Sequence, residues 1–345
     1  MSGILLSICI TTRNRVSFLV ETLSGLLGQA TAEVEIVVLD AASGDGTRQA
    51  AEALAAGNAS LSYQRRETNQ GIDRDYASAA DLARGKYVWF MSDDDLLAQG
   101  AIEKVLHACR KGYALIVVNA EDWNADFSER LGGPRLPIQE NREFHCDRFV
   151  ELFETVGHFL SFIPGVVVKK EIWSSREKEP YFGSFFAHLG VLFQAPLPGS
   201  ALVIAEPLVR IRNGNVSWSG RSFEIWMVRW PSLVTSLEAL PESSRRKVAA
   251  PEPWRNTAKL IEYRAMSAYS LEEYRKWIAP RHTSALFRAL AIAVAIIPGA
   301  LVNSLCLGYF LLLARRRKIP PFHLRTSRFY VGKLLSRSGR AGSAC

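Results

Sequence analysis

Residues 4–10 (ILLSICI) form an apolar run broken only by Ser7 and closed by the polar Thr11, Thr12, Arg13 and Asn14. Such a run predicts a strand buried on both faces. It does not read as a targeting peptide, because no basic segment precedes it. Val16, Leu19, Val20, Leu23, Leu26 and Leu27 recur at helical spacing and predict a helix over 16–29. Residues 34–39 (VEIVVL) predict a second buried strand, closed by Asp40 and the turn-rich Ser43-Gly44-Asp45-Gly46-Thr47. The pattern continues with a helix over 48–56, a strand near 61–64 and a helix over about 74–84. A strand over 86–91 (KYVWFM) then runs into Ser92-Asp93-Asp94-Asp95, with a further helix expected over 96–109. Strands alternating with helices at this spacing mean βαβ units, hence an α/β fold with a mostly parallel sheet and helices on both faces. In open α/β sheets ligands bind beyond the carboxyl ends of the strands. Thr11, Arg13, Asp40 and Asp93-Asp94-Asp95 all fall at such ends.

Beyond about residue 120 the pattern is less regular. Residues 163–168 and 201–204 read as strands, and 185–194 and 223–240 as helices, while 241–280 is polar-amphipathic and rich in Arg, Tyr and Trp. Residues 289–314 are 26 consecutive uncharged positions interrupted by Pro298-Gly299. Three regions are therefore expected. Residues 1–235 would be the ligand-binding domain, 236–283 an amphipathic helical connector, and 284–345 an apolar hairpin with a basic tail.

The charge distribution supports that division. The chain of 345 residues carries a formal +8, yet residues 281–345 hold eleven Lys and Arg and no acid, so the rest is mildly acidic. That excludes a body-wide nucleic-acid surface and points to an anionic partner for the tail alone. Five cysteines, odd in number and without a C-x-x-C pair, suit a reducing compartment better than a disulfide framework.

Three adjacent carboxylates at Asp93, Asp94 and Asp95 repel one another unless a cation or solvent relieves them. Hard oxygens suit Mg²⁺ or Mn²⁺, and a solvated loop with Asp95 as a helix cap is the competing reading. Gly44-Asp45-Gly46 lacks the third glycine of a dinucleotide fingerprint and reads as a turn. No P-loop, nucleophile elbow or zinc motif is present in the sequence.

Five segments in register carry a resemblance. They are Ser7 to Arg15, Ile36 to Thr47, Asn69-Gln70-Gly71, Ala83 to Tyr87, and Ser92-Asp93-Asp94-Asp95. In order and spacing they resemble the family 2 GT-A glycosyltransferases over roughly residues 4–110. Gly71-Ile72-Asp73-Arg74-Asp75 and Tyr87 to Asp95 look most like the abequosyltransferase-type members, which act on lipid-linked O-antigen units. Two departures stand out. Tyr76-Ala77 replaces an Arg-Asn pair, and Ser92 replaces an acid. The family's Glu-Asp pair is missing from residues 150–230, where the best register places Ala187-His188.

The resemblance implies a GT-A (Rossmann-like) fold and an inverting transfer of sugar from a nucleotide-sugar donor to a polyprenyl-diphosphate-linked saccharide. It implies donor contacts from Asp40, Thr11 and Arg13, with Asp73 and Arg74 at the base or a phosphate. Asp93 would meet the ribose or a metal-bound water, and Asp94 a Mg²⁺ or Mn²⁺ ion. His188 is the candidate base, as a neutral imidazole near pH 7, with Glu206 or Glu224 as alternatives and a core histidine as the plainer reading. Arg210, Arg212, Asn215 and Ser217 form a polar loop that would fold over the diphosphate, or serve as ordinary surface. The 26-residue run bounded by basic residues is expected as a re-entrant or interface-lying hairpin on anionic lipid at the cytoplasmic face of the inner membrane. A buried hairpin is the alternative. Two rival functions remain open at this point: a membrane-attached sugar-nucleotide-binding protein without catalysis, and a nucleotidyltransferase, which would need a glycine-rich loop after the first strand.

Overall fold

A computed structural model describes residues 3–215, 219–314 and 318–332. The chain divides into two compact units, Met1–Arg212 with Leu233–Val248 and Asn213–Ser232 with Ala249–Cys345. This differs from the expected boundaries at 235 and 283, because most of the connector belongs with the hairpin.

The first unit is built on β1 (Leu6–Thr12), β2 (Val34–Asp40), β3 (Leu61–Arg65) and β4 (Tyr87–Met91). Every residue of β1, β2 and β4 is buried, as their largely apolar runs require, and the two polar interruptions, Ser7 and Glu35, pair with each other. Helices α1 (Val16–Leu27), α2 (Thr47–Ala56) and α3 (Ile72–Leu82) connect them, so the first four strands pair in parallel in the order β3-β2-β1-β4. Register then fixes the site. Thr12 lies opposite Asp40, and Ile10 opposite Met91. The loops at 13–15, 41–46 and 92–95 therefore leave one edge of the sheet together.

The remaining strands add antiparallel pairs and make the mostly parallel sheet a mixed one. Residues 96–97 form a short strand, β5 (Leu96–Leu97), antiparallel to β10 (Ala201–Arg212). Helix α4 (Ala101–Arg110) begins only after Gly100, whose φ of 74° needs a residue without a Cβ penalty. β6 (Leu115–Trp123) was not expected from the sequence. It pairs in parallel with β10 and carries the short β7 (Arg130–Pro134) on its other partner edge, while β8 (Arg142–Phe144) adds to β10. β9 (Val166–Lys169) is antiparallel to both β4 and β6. Helices α5 (Phe149–Val156), α6 (Lys170–Ser175) and α7 (Ala187–Phe193) complete this unit's main elements.

The second unit has its own core. Phe223, Trp254, Leu260 and Tyr269 pack with Ala291, Val294 and Ala295 of the helix Ala285–Ile296. A second apolar helix, Gly299–Leu312, follows at a bend of 95°. Gly299 lies under the Phe329 ring, where a Cβ would come to 2.2 Å. Arg264 closes the bend by donating to the Ile297 carbonyl at 2.7 Å. Among the described residues no single helix is long and apolar enough to cross a membrane. The basic block at 315–317, Ser217 and Cys345 lie outside the described residues.

Candidate functional site

Two loops at the sheet edge are lashed together. The Asn14 amide N–H donates to Ser43 Oγ at 2.8 Å, and Gly44 N–H donates to Asn14 Oδ1 at 2.7 Å. Asn14 and Ala42 both have positive φ, 55° and 62°. Side chains with a Cβ hold that region only where surrounding contacts over-determine it, which happens most at binding sites.

The acidic loop faces this pair of loops. Asp93 accepts from Thr12 Oγ1 at 2.7 Å and from Arg15 Nε at 2.9 Å. Arg15 also donates through Nη2 to Asp94, so one guanidinium bridges two carboxylates. Burial pushes the Asp93 carboxyl up to about 6, with Arg15 opposing the rise and Asp94 adding to it. Asp95 turns the other way. It accepts from the backbone N–H of Arg212 at 2.8 Å and from the Ser92 hydroxyl, and burial next to Asp94 pushes it up to about 8. Asp95 is thus an anchor of the loop and not the cap of a helix. Among the described residues no group of three or more His, Cys, Asp or Glu is arranged to hold a metal. Asp93 and Asp94 therefore offer at most two carboxylates.

The other expected residues divide. Asp40 sits at the expected strand end but is fully buried, accepting from Ser43 N–H at 2.8 Å and from Tyr63 Oη at 2.6 Å. In this state it holds the turn after β2. Thr11 is buried at the end of β1, and Arg13 just beyond it is exposed. Arg74 projects from α3 over the Phe182 ring at 4.5 Å and lines a cavity of about 320 Å³ with Gln70 and Lys178. A second cavity, about 550 Å³, opens between Leu39 of β2, Gln64 of β3 and Arg66.

Three expectations are corrected by geometry. Asp73 does not face a ligand: its carboxylate accepts from Gly183 N–H (2.8 Å), Phe185 N–H (2.9 Å) and Ala187 N–H (3.1 Å). It clasps the entry to α7 and holds Phe185 at φ 71°. Arg212 is no lid over a diphosphate. Its side chain is 4% exposed, pairs with Glu21 at 2.6 Å, and donates to the Asp94 carbonyl at 2.8 Å between the Phe18 and Phe127 rings. It positions the acidic loop from beneath. His188 is 3% exposed, with Nε2 2.7 Å from the Leu160 carbonyl. Burial drives its pKa down to about 4, and the ring is committed to the core. Of the alternatives, Glu206 binds Lys104 on the surface and Glu224 pairs with Arg221 and Arg229 in the second unit.

The His188 reading has a pH signature. An ordinary histidine near 6.5 takes a proton in the unfolded chain while the folded ring stays neutral to about 4. Its contribution is therefore intact above about pH 6.5 and drains away as pH falls towards 4. A His188→Gln variant should flatten that part of the melting-temperature curve and leave the acidic limb of turnover in place. A moved kinetic limb would restore His188 as the base.

Sequence reasoning also missed residues. The sequence presents Arg15 only as part of a motif. Asp75, on the first turn of α3, is 2% exposed, lies 3.7 Å from Arg66 Nε and is pushed up to about 6 by burial. Its position in a polar helical turn gave no sign of burial.

Known proteins resemble the region that carries this edge. A family model described as "Glycosyl transferase family 2" matches residues 7–163. Over 227 residues the chain is 27% identical to the abequosyltransferase RfbV of Salmonella typhimurium, covering 62% of this chain and 68% of that protein. It is 29% identical over 181 residues to the GalNAc(5)-diNAcBac-PP-undecaprenol beta-1,3-glucosyltransferase of Campylobacter jejuni, covering 52% of this chain and 56% of that one. Among solved structures, S. aureus TarS 1-349 in complex with UDP-GlcNAc aligns with a TM-score of 0.56 at 16% identity, over 94% of this chain and 90% of that one. The mannosyltransferase PcManGT of Pyrobaculum calidifontis, in complex with GDP-Man and Mn²⁺, aligns with a TM-score of 0.50 at 14% identity, over 94% and 86%. At such identities the structural likeness speaks to the fold alone.

Proposed function

Residues 7–163 form a glycosyl transferase family 2 domain, and from that premise we propose that the chain transfers sugar from a nucleotide-sugar donor to a lipid-linked saccharide with inversion, in cell-surface polysaccharide or O-antigen synthesis. The observation that carries the reading is the alignment at one sheet edge of the lashed loops 13–15 and 41–46 with the Asp93-Asp94 loop. The donor's nucleoside occupies the cavity at the ends of β2 and β3, whose volume of about 550 Å³ lies in the usual range for small-molecule sites. Arg13 and Arg74, both exposed beside the strand ends, meet its phosphates. Asp93 and Asp94 fit a divalent cation, Mg²⁺ or Mn²⁺, because their carboxylates already converge on one cationic group, the Arg15 guanidinium. Such ions use one or two protein carboxylates and fill the rest of their shell from phosphate and water. When bound, the ion neutralises charge that builds on the departing diphosphate. Arg212 and Asp95 keep the loop in position for it.

The apolar helices Ala285–Ile296 and Gly299–Leu312 support a membrane surface as the working location, at the cytoplasmic face of the inner membrane. Leu286, Ile296, Leu301, Leu305 and Leu312 are each more than half exposed, apolar side chains that a lipid surface would cover. A sugar-nucleotide-binding protein without turnover is the second reading, favoured by the burial of His188.

Thermal shift against a panel of nucleotide sugars, with Mn²⁺ present, tests the proposal. One donor class should raise the melting temperature with its occupancy and then support transfer to a lipid-linked acceptor. Stabilisation without transfer or donor hydrolysis selects the binding protein, and no stabilisation by any donor overturns both.

A further inference from the structure

We infer that Arg15 is the resident counter-ion of the Asp93–Asp94 pair and must leave it before a divalent cation enters. The inference rests on the proposed cation at these two acids. Arg15 lies in the turn between β1 and α1, only 15% exposed, with Nε on Asp93 Oδ1 at 2.9 Å and Nη2 on Asp94 Oδ2. A planar guanidinium spans two carboxylates in a way that an ammonium does not.

The seat cannot be shared. The other oxygen of Asp93 is held by Thr12 Oγ1 at 2.7 Å, and Asp95 is tied to Arg212 and Ser92. With its Oδ2 on Thr12, the Asp93 oxygen left for a cation is the Oδ1 that Arg15 holds, and Asp94 meets the same guanidinium through Oδ2. A divalent ion needs the same oxygens at roughly 2.1 Å, inside the hydrogen-bond distance of the guanidinium, and the two cations repel. The fold supplies a reason for Arg15 to rest there without a ligand: the neighbouring Asp93 and Asp94 carboxylates are only 10% and 17% exposed and repel one another unless a positive partner stands between them. The Phe18 ring, 4.7 Å from the guanidinium in this same seat, adds a cation–π contact that helps hold Arg15 there. Displacement makes cation and donor cooperative, since an arginine freed beside a diphosphate meets a new anion.

The test is Mn²⁺ binding to the full chain, with no donor, followed by electron paramagnetic resonance of the free ion. Wild type, Arg15→Gln, Arg15→Lys and Asp94→Asn are compared. If Arg15 holds the seat nine-tenths of the time, Arg15→Gln should bind Mn²⁺ about tenfold more tightly, and Mn²⁺ should raise its melting temperature more than that of wild type. Arg15→Lys should fall between the two, and it keeps the test open should Arg15→Gln fold poorly. Asp94→Asn should lose the binding. Unchanged or weaker affinity in both Arg15 variants, with binding still lost in Asp94→Asn, overturns the inference and leaves the cation site standing. No Mn²⁺ binding by any of the four proteins, with donor still bound in EDTA, removes the cation reading and the inference together.

Discussion

Replacement of Asp94 by alanine should lower the proposed sugar transfer on the order of 10²-fold or more, the size of one lost preorganised electrostatic contact at a developing charge. The variant should keep its fold. The Asp94 side chain is 17% exposed and sits on a loop, so its removal opens no core cavity. It also relieves repulsion, because Asp94 is one of the causes that raise Asp93 and Asp95. The melting temperature should therefore stay level or rise while turnover collapses. Asp95→Ala makes the contrast. That side chain is 3% exposed, and its loss strips the Arg212 backbone N–H and the Ser92 hydroxyl of their acceptor, so stability should fall. Turnover of Asp94→Ala within a few-fold of wild type, measured at saturating Mn²⁺, would sink the assignment of Asp94 to a cation.

The strand-end acids were legible because burial on both faces writes itself into the sequence. β1, β2 and β4 are apolar runs, interrupted only by Ser7 and Glu35 before their ends, and the polar residue that closes each run marks the edge of the sheet. What was not legible depends on partners distant in the chain. Asp73 looks like a ligand contact until the backbone N–H groups of Gly183, Phe185 and Ala187 are seen to fill its carboxylate, 110 residues and more away. Arg212 looks like a mobile lid residue until Glu21 and the Asp94 carbonyl claim it. β6 is interrupted by polar Asn119, which the fold satisfies internally through the carbonyls of Leu136 and Ala205. An isolated asparagine in an apolar run carries no sign of which carbonyls will meet it. Residues 96–97 follow a helix-like pattern, yet Gly100 delays the helix and lets them pair with β10.

The apolar hairpin leads to the second large effect. Cutting the chain at Pro280 does not test it, because Ala291, Val294 and Ala295 belong to the core of the second unit and the Ala291 carbonyl accepts from Tyr269 Oη at 3.1 Å. The outward side chains do. Leu286, Leu305 and Leu312 are 72%, 66% and 67% exposed, so changing them leaves that core intact. Burying each in lipid contributes about 1 kcal/mol or somewhat more, scaled from full burial of a leucine. Together they supply roughly 3 kcal/mol, about 100-fold in partition. A triple variant with Gln at 286, 305 and 312 should lose about that much binding to anionic vesicles in sedimentation while still being stabilised by donor. High salt separates the two forces. Basic residues near an anionic surface each contribute about 1 kcal/mol and are screened within a Debye length, whereas apolar burial is not. Raising the salt should therefore weaken wild-type binding only in part and remove nearly all binding by the triple variant. Equal vesicle binding by wild type and the triple variant at both salt concentrations would mean that the exposed leucines meet something other than lipid.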